Sequence, residues 1–277
     1  MKISLVFLKQ LLFRNAYCRL GKRAQKRKVN LEYFNSEVNL GDMLSPVIYK
    51  WMLDKASIPY DKKIRRTRHL MTLGSILGGN GFFDATVWGS GIKSFDQIAA
   101  LSKRRYFQKL DIRCVRGPLT RDALQGCGYK CSECFGDPAV LMPLIYNPKI
   151  EKKHKVGTIP HFTQTFSSIP NVKNLNIRTN NYKQFIDELL SCEKIVSSSL
   201  HGIILAEAYG IPAVFLGAGR ELEIFKYLDW YYSTGRKNVL VAATVEEAAA
   251  MKPMPIPDVS LMQKNLIEAF PYDLWEV

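Results

Sequence analysis

The sequence predicts an α/β protein made of two αβ halves with a cleft between them, and three observations predict it. First, residues 195–217, IVSSSLHGIILAEAYGIPAVFLG, read as a βαβ unit: Ile195 and Val196 in a strand, Leu200 to Tyr209 in a helix, Gly210 as its stop and Pro212 to Leu216 in a second strand. Second, the chain from Val29 to Val115 alternates short apolar runs with Gly-ended turns, the pattern of a parallel sheet. Third, PLIYNPKIEKKHK, starting at Pro143, is a Pro- and Lys-rich connector. At 277 residues the chain can hold two domains of about 120 to 150 residues. The predicted division is 1–28, a basic N-terminal segment, then 29–142 and 143–277, one αβ half each. A hydrophobic content of 47% marks a folded, water-soluble protein.

The net charge of +14 is unevenly placed, because residues 1–28 carry nine basic residues and no acid. The apolar run ISLVFLKQLLF is interrupted by Lys9 and has no small-residue cleavage site, so it makes a poor secretory signal. As a helix it places Leu5, Val6, Leu8 and Leu12 near one face with cations around them. Such a segment suits an anionic membrane surface; a first helix packed on the protein with a solvated basic turn after it is the other reading. Nucleic acid is not expected, since the tail has few aromatics beside its charges and contains no nucleic-acid motif. Longer apolar runs are broken by Glu, Gly and Pro, so no bilayer span is expected. The expected location is cytoplasmic, with the inner membrane face as a docking place.

The elements then follow in order. Val29 to Phe34 read as a strand, and Asn39 to Asp42 as a turn feeding a helix to about Lys55, with Asp42 as N-cap or first-turn acid and Pro46 early in the helix. Leu70 to Leu73, Thr86 to Trp88 and Ile112 to Val115 are short strands ended by Gly or Arg. In the second half, Val156 to Ile159 and Val172 to Ile177 read as strands and Tyr182 to Cys192 as a helix. After the βαβ unit, Leu222 to Tyr232, Val245 to Met251 and Ser260 to Phe270 read as closing helices.

Ligands of open parallel sheets sit beyond the carboxyl ends of the strands. The turn in the βαβ unit places Ser197, Ser198, Ser199 and His201 there, against a helix N-terminus that favours an anion. Taken alone, the serines read rather as a helix cap and His201 as a partly buried helix residue. Cys127, Cys131 and Cys134 have a C-x3-C-x2-C spacing but lie mid-chain and lack an evident fourth ligand, so no metal is expected and the six cysteines are expected reduced.

Four segments in order carry a family resemblance: EVNLGDMLSPVIYKWML at 37–53, TVWGSGIK at 86–93, CVRGPLTRDAL with the later FGDPAVLMP between 114 and 143, and SSSLHG. Together they resemble the polysaccharide pyruvyl transferase family. The resemblance implies a GT-B-like arrangement of two Rossmann-like αβα halves. It also implies transfer of the enolpyruvyl unit of phosphoenolpyruvate onto two hydroxyls of a sugar of a cell-surface polysaccharide or its lipid-linked precursor, giving a pyruvate ketal and phosphate. Phosphoenolpyruvate is then the donor substrate, with no cofactor and no metal required. His201 is the implied acid/base, with His161, in an IPHF segment similar to an IPH element of one family branch, or Asp42 as its partner. Arg116 and Arg121, which flank GPLT, together with Ser198, Ser199, Asn39, Gly89 and Ser90, are the implied donor and phosphate contacts. Many members carry Arg two residues before the histidine; Ser199 stands there in this chain, so another cation must hold the donor or the donor differs. Two other functions remain open on the same scaffold: a glycosyltransferase using a nucleotide sugar, and a non-catalytic envelope sugar-binding protein.

Overall fold

The computed structural model describes residues 12–79, 83–166 and 169–276. The chain forms two parallel sheets covered by helices, a Rossmann-like α/β architecture. In the first sheet β1 (Val29–Glu32), β2 (Arg68–Met71), β3 (Ala85–Trp88) and β4 (Leu110–Cys114) lie in sequence order and pair parallel throughout. Helix α1 (Leu40–Lys55) carries the crossover from β1 to β2, α2 (Phe95–Arg104) that from β3 to β4, and α3 (Pro118–Gly126) follows β4. After a short turn, Pro138–Leu141, and α4 (Met142–Ile145), the chain enters the second sheet. There β5 (His154–Ile159), β6 (Val172–Asn174), β7 (Cys192–Ser197), β8 (Ala213–Leu216) and β9 (Val241–Ala242) run in the order β6-β5-β7-β8-β9, again all parallel. The helices of this half are α5 (Tyr182–Leu190), α6 (Leu200–Ala208), α7 (Ile224–Ser233), α8 (Val245–Ala250) and α9 (Ser260–Glu268).

The strands read as apolar runs because both faces are covered: β3 and β8 are buried along their whole length. The expected βαβ unit is present as β7, α6 and β8. Two elements were not expected. Helix α2 was missed although Phe95, Ile98 and Leu101 recur at helical spacing, and β9 is two residues long. The amphipathic face expected from Leu5, Val6 and Leu8 lies outside the described residues, and Leu12 is exposed. No helix among the described residues is long and apolar enough to cross a membrane.

The second half reverses its winding between β5 and β7, since β6 lies to one side of β5 while β8 and β9 lie beyond β7. Crevices of open α/β sheets fall at such a reversal. The residues leaving these two strands are Pro160 and His161 on one side, and Ser198 to His201 on the other.

The halves share one apolar core that runs from α1 through residues 139–142 to α6 and α7. The C-terminal segment, read from sequence with the second half, crosses back to the first. Trp88 Nε1 donates to the Leu266 carbonyl at 2.8 Å, its ring meets Phe270 edge-on at 4.9 Å, and the Tyr272 hydroxyl donates to the Met52 carbonyl at 3.1 Å.

A buried ion pair joins the halves where β4 ends. The Arg116 guanidinium reaches Asp229 of α7 through Nε at 3.0 Å and Nη2 at 2.9 Å, with both side chains wholly buried. Its other donors go to Ser75 Oγ at 2.7 Å and the Ile92 carbonyl at 2.6 Å. Asp229 in turn accepts the Thr120 amide at 2.9 Å and hydroxyl at 2.6 Å. A side chain at Gly117 would fall 2.1 Å from the Asp229 carbonyl oxygen, so α7 lies directly on the start of α3. The role of Arg116 as a donor-binding fork is therefore corrected: its Nε, Nη1 and Nη2 all donate within the joint between the halves. Arg116→Ala should lower unfolding free energy by about 3 to 5 kcal/mol, because it strands a buried carboxylate. Denaturant titration measures this, and replacing both partners by apolar residues of similar volume should cost much less.

Candidate functional site

The cleft is built where two helix N-termini meet. Asn39 precedes α1 with extended backbone, Leu40 N–H donates to the Ile177 carbonyl at 2.8 Å, and Asp42 falls in the first turn. Ser199 precedes α6, and His201 is that helix's second residue. A Cβ at Gly41 would lie 1.9 Å from His201 Nδ1, so the glycine is what lets the histidine pack on the first turn of α1. The cavity beside them holds about 270 Å³ and is lined by Asn39, Asp42, Ser75, Lys93, His161, Ser199, His201, Lys226 and Arg19, with Phe34, Ile76 and Phe162 as apolar walls. Larger surface hollows lie on the first half, around Arg65 and Arg66, away from both strand ends of the second sheet.

His201 and Asp42 are both nearly buried. Burial opposes the charge on His201, but the Asp137 carboxylate, 3.7 Å from Nε2, and Asp42 outweigh it and raise the imidazole pKa above its ordinary value. Burial also raises the Asp42 carboxyl, against the opposing pull of His201, Asn39, Lys226 and Arg19. Asn39 Nδ2 donates to Asp42 Oδ2 at 2.6 Å. The result is an acid and a base, each inclined to hold a proton, at the wall of one cavity. Asp137 caps the connection between halves by accepting the Ala139 amide at 3.0 Å through Oδ1, and it also turns its second oxygen toward His201.

His161 is set the opposite way. Burial, then the cations Lys226 and Arg220, pull its pKa down to about 3, so the ring is neutral near neutral pH. Its Nδ1 lies 2.8 Å from the Thr163 hydroxyl and accepts the Thr163 amide at 3.3 Å, an arrangement that suits a ring with its proton on Nε2. Nε2 faces the cavity side, 3.9 Å from Glu223 Oε2. His161 is therefore arranged as a hydrogen-bond donor, not as a second base.

Glu223, just before α7, gathers the cations. Lys93 lies 2.7 Å from Oε1, and Lys226 at 2.5 Å and Arg220 at 3.2 Å from Oε2. Burial works against ionisation of this carboxyl, yet Lys226 and Lys93 hold it down to about 2. Burial in turn lowers Lys226 to about 8. Three cations on one carboxylate leave the patch with a positive surplus facing the cavity.

The structure thus brings together His201, His161, Asp42, Asn39 and Ser199. Ser198 stands behind them: its Oγ accepts the His161 amide at 2.8 Å and meets Gln164 Oε1 at 2.7 Å. Ser199 makes no side-chain cap bond, while Ser197 Oγ accepts the Ser199 amide at 3.0 Å. Ser90 and Gly89 are apart from the cavity. Ser90 Oγ donates to the Gly74 carbonyl at 2.9 Å, and Gly89, at φ +83°, would meet Pro138 at 2.2 Å if it carried a Cβ. Their expected donor contacts give way to backbone packing. Arg121 is likewise apart, pairing with Glu133 at 2.6 Å and Asp122 at 2.7 Å and stacking on Phe135. Of the cavity's cations, Lys93 closes the TVWGSGIK segment but was given no role there, whereas Arg19 and Lys226 sit in no motif and carried no readable sequence signal.

All six cysteines are free. Among the described residues, the group of metal-capable side chains drawn within 4.8 Å is Cys18, Glu32 and His69 rather than the Cys127 triplet. His69, given no role from sequence, is buried there, with Nδ1 2.8 Å from Glu32 Oε1 and Nε2 3.2 Å from the Asn15 carbonyl.

Fold and site define a two-halved, all-parallel α/β protein with a cationic acid–base cleft at a sheet's topological reversal. Residues 67–219, more than half of the chain, match the family model for polysaccharide pyruvyl transferase, and the chain belongs to that family. It is 27% identical over 207 residues to the succinoglycan biosynthesis protein ExoV of Rhizobium meliloti, a match covering 71% of this chain and 62% of ExoV. It is 26% identical over 210 residues to the uncharacterized protein L143 of Acanthamoeba polyphaga mimivirus, covering 71% and 70% of the two chains. A solved structure of a functionally uncharacterized Klebsiella pneumoniae protein superposes with a TM-score of 0.51 at 12% identity, spanning 87% of this chain and 100% of that one.

The two cavity histidines should titrate on opposite sides of the ordinary value of about 6.5. In a proton NMR titration, His201 should change charge above it, while His161 stays neutral until about pH 3. The unfolded chain takes up the His161 proton near pH ~6.5 and the folded protein does not, so folding stability should fall as pH drops below that value. His161→Gln should flatten that part of the stability curve.

Proposed function

We propose that the cleft transfers the pyruvyl unit of phosphoenolpyruvate to two hydroxyls of a sugar, forming a ketal. The observation that supports it most is the pairing, in one cavity, of His201 and Asp42, both biased toward their protonated forms, with a cationic wall and a helix N-terminus that suit a phosphorylated acid. Chemically, one proton must reach the donor's methylene carbon as C2 becomes electrophilic. Two sugar oxygens then bond to C2 and the C2–O bond to phosphate breaks. Of the two hydroxyl protons released, one balances that delivered to carbon and the other leaves with phosphate. His201 and Asp42 share these transfers as one coupled pair, and Asp137 stabilises the imidazolium between steps. The neutral His161 donates from Nε2 to a donor oxygen, while Lys93 and Lys226 offset the charge of the leaving phosphate. On this reading the two halves hold donor and acceptor from opposite sides, as in a GT-B arrangement.

The test is phosphate release from phosphoenolpyruvate in the presence of sugar acceptors, run beside nucleotide sugars. His201→Ala and Asp42→Asn should each lower turnover by about 100-fold or more while the fold is kept. A folded, fully active His201→Ala protein, or binding of a nucleotide sugar in place of phosphoenolpyruvate, overturns the reading.

The acceptor on this reading is a lipid-linked precursor at the inner membrane face. Supporting this, Leu12 and Phe13 are exposed at 74% and 59% beside Arg23, Lys26, Arg27, Arg65 and Arg66. Each such cation near an anionic surface contributes about 1 kcal/mol. The double variant Arg65→Glu/Arg66→Glu should lose sedimentation with phosphatidylserine vesicles at low salt and keep turnover on a water-soluble sugar. Unchanged sedimentation would remove this face from membrane contact.

A further inference from the structure

The geometry points to Arg19, from the basic N-terminal segment, as the residue that recognises an oxyanion of the donor, and so to that segment as a wall of the active site. The assignment rests on the cleft being the place where an anionic donor binds. Cysteine 18 opens a small hairpin: its amide donates to the Lys22 carbonyl at 2.7 Å, and Tyr17 and Arg23 pair across it. The hairpin is fastened to the first sheet at three points. The Arg19 amide donates to Glu32 Oε2 at 2.8 Å, the Asn15 carbonyl meets His69 Nε2 at 3.2 Å, and Asn15 Oδ1 accepts the Asp84 amide at 3.1 Å. Glu32 and His69 are themselves locked together at 2.8 Å. Held this way, the Arg19 side chain passes over the Phe34 ring, with its guanidinium carbon 5.7 Å from the ring centre, and enters the cavity wall.

Its hydrogen-bonding state separates Arg19 from the other cations. Lys93 and Lys226 already share Glu223, and Arg116 is spent on Asp229. Arg19 Nε and Nη1 are buried and have no hydrogen-bond partner among the described residues. Burial lowers the guanidinium's pKa, and only the more distant charges of Asp42 and Glu32 oppose that. Buried, unpaired N–H groups on a charge are costly unless a ligand completes them. An oxyanion entering the cavity does so, and phosphoenolpyruvate offers two, a carboxylate and a phosphate.

Calorimetric titration of the full chain with phosphoenolpyruvate, inorganic phosphate and pyruvate tests this. Arg19→Met should weaken phosphoenolpyruvate binding about 10- to 100-fold, with circular dichroism and thermal midpoint near wild type. Loss of pyruvate binding alone assigns the carboxylate to Arg19, and loss of phosphate binding alone assigns the phosphate. Arg19→Lys, which keeps charge and stem, should recover only part of the affinity, since an ammonium cannot reproduce the fork; it also serves if Arg19→Met does not fold. Lys22→Met, an exposed cation of the same hairpin, should leave all three affinities unchanged. Unchanged oxyanion affinity in folded Arg19→Met, an equal loss in Lys22→Met, or a wild-type chain that binds none of the three overturns the assignment. If the wild-type chain binds a nucleotide sugar and phosphate but not phosphoenolpyruvate, pyruvyl transfer falls while Arg19 is still judged by its effect on phosphate.

Discussion

The cleft exists in its observed form because Arg116 and Asp229 hold the two halves at one separation. A buried guanidinium and a buried carboxylate tolerate little misalignment, since each must keep its partner or stand desolvated and alone. Asp229 satisfies Thr120 as well, and Arg116 satisfies Ser75 and Ile92, so the pair fixes the end of β4, the start of α3 and helix α7 together. Helix α7 carries Lys226 and follows Glu223, and Ser75 lines the cavity. Any shift of the joint would therefore move the cationic wall relative to His201. The shared apolar core and the return of the C-terminal helix onto Trp88 reinforce the same alignment.

Inside the cleft, one physical effect acts with two outcomes. Burial penalises charge on both histidines. At His201 two carboxylates, Asp137 and Asp42, reverse the penalty, whereas at His161 Lys226 and Arg220 add to it. Two residues of one type thus acquire different chemistry from the sign of their neighbours. Glu223 has a parallel part among the cations: it keeps Lys226 near the cavity despite burial, yet leaves the patch positive enough to attract an anion.

The N-terminal segment shows how composition can mislead about use. Nine basic residues without an acid read as a uniform field for a charged surface. In the folded protein they divide. Arg23, Lys26 and Arg27 face a hollow beside Arg65 and Arg66, while Arg19 turns the other way, into the cleft. What divides them is the hairpin's attachment through Glu32, His69 and Asn15, all backbone or buried contacts that no charge count reveals.

By itself the sequence determined the α/β class, the βαβ unit from β7 to β8, and most strands and helices, because burial on both faces of a parallel sheet writes continuous apolar runs that Gly and Pro interrupt. The family resemblance singled out His201, His161, Asp42 and Asn39, and the fold brings these four to one cavity. Strand β9 stayed hidden, two residues being too few to leave a pattern. Tertiary structure alone decided which arginine was free. Arg116 stands in the better motif, but its partner Asp229 is 113 residues away, and a local pattern cannot register a contact at that distance. Arg19 stands in no motif, and only the folding of its hairpin over Phe34 brings it to the cavity that Asp42 and His201 line. A side chain's type is written in the sequence, whereas whether its hydrogen bonds are already taken depends on what the rest of the chain brings to it.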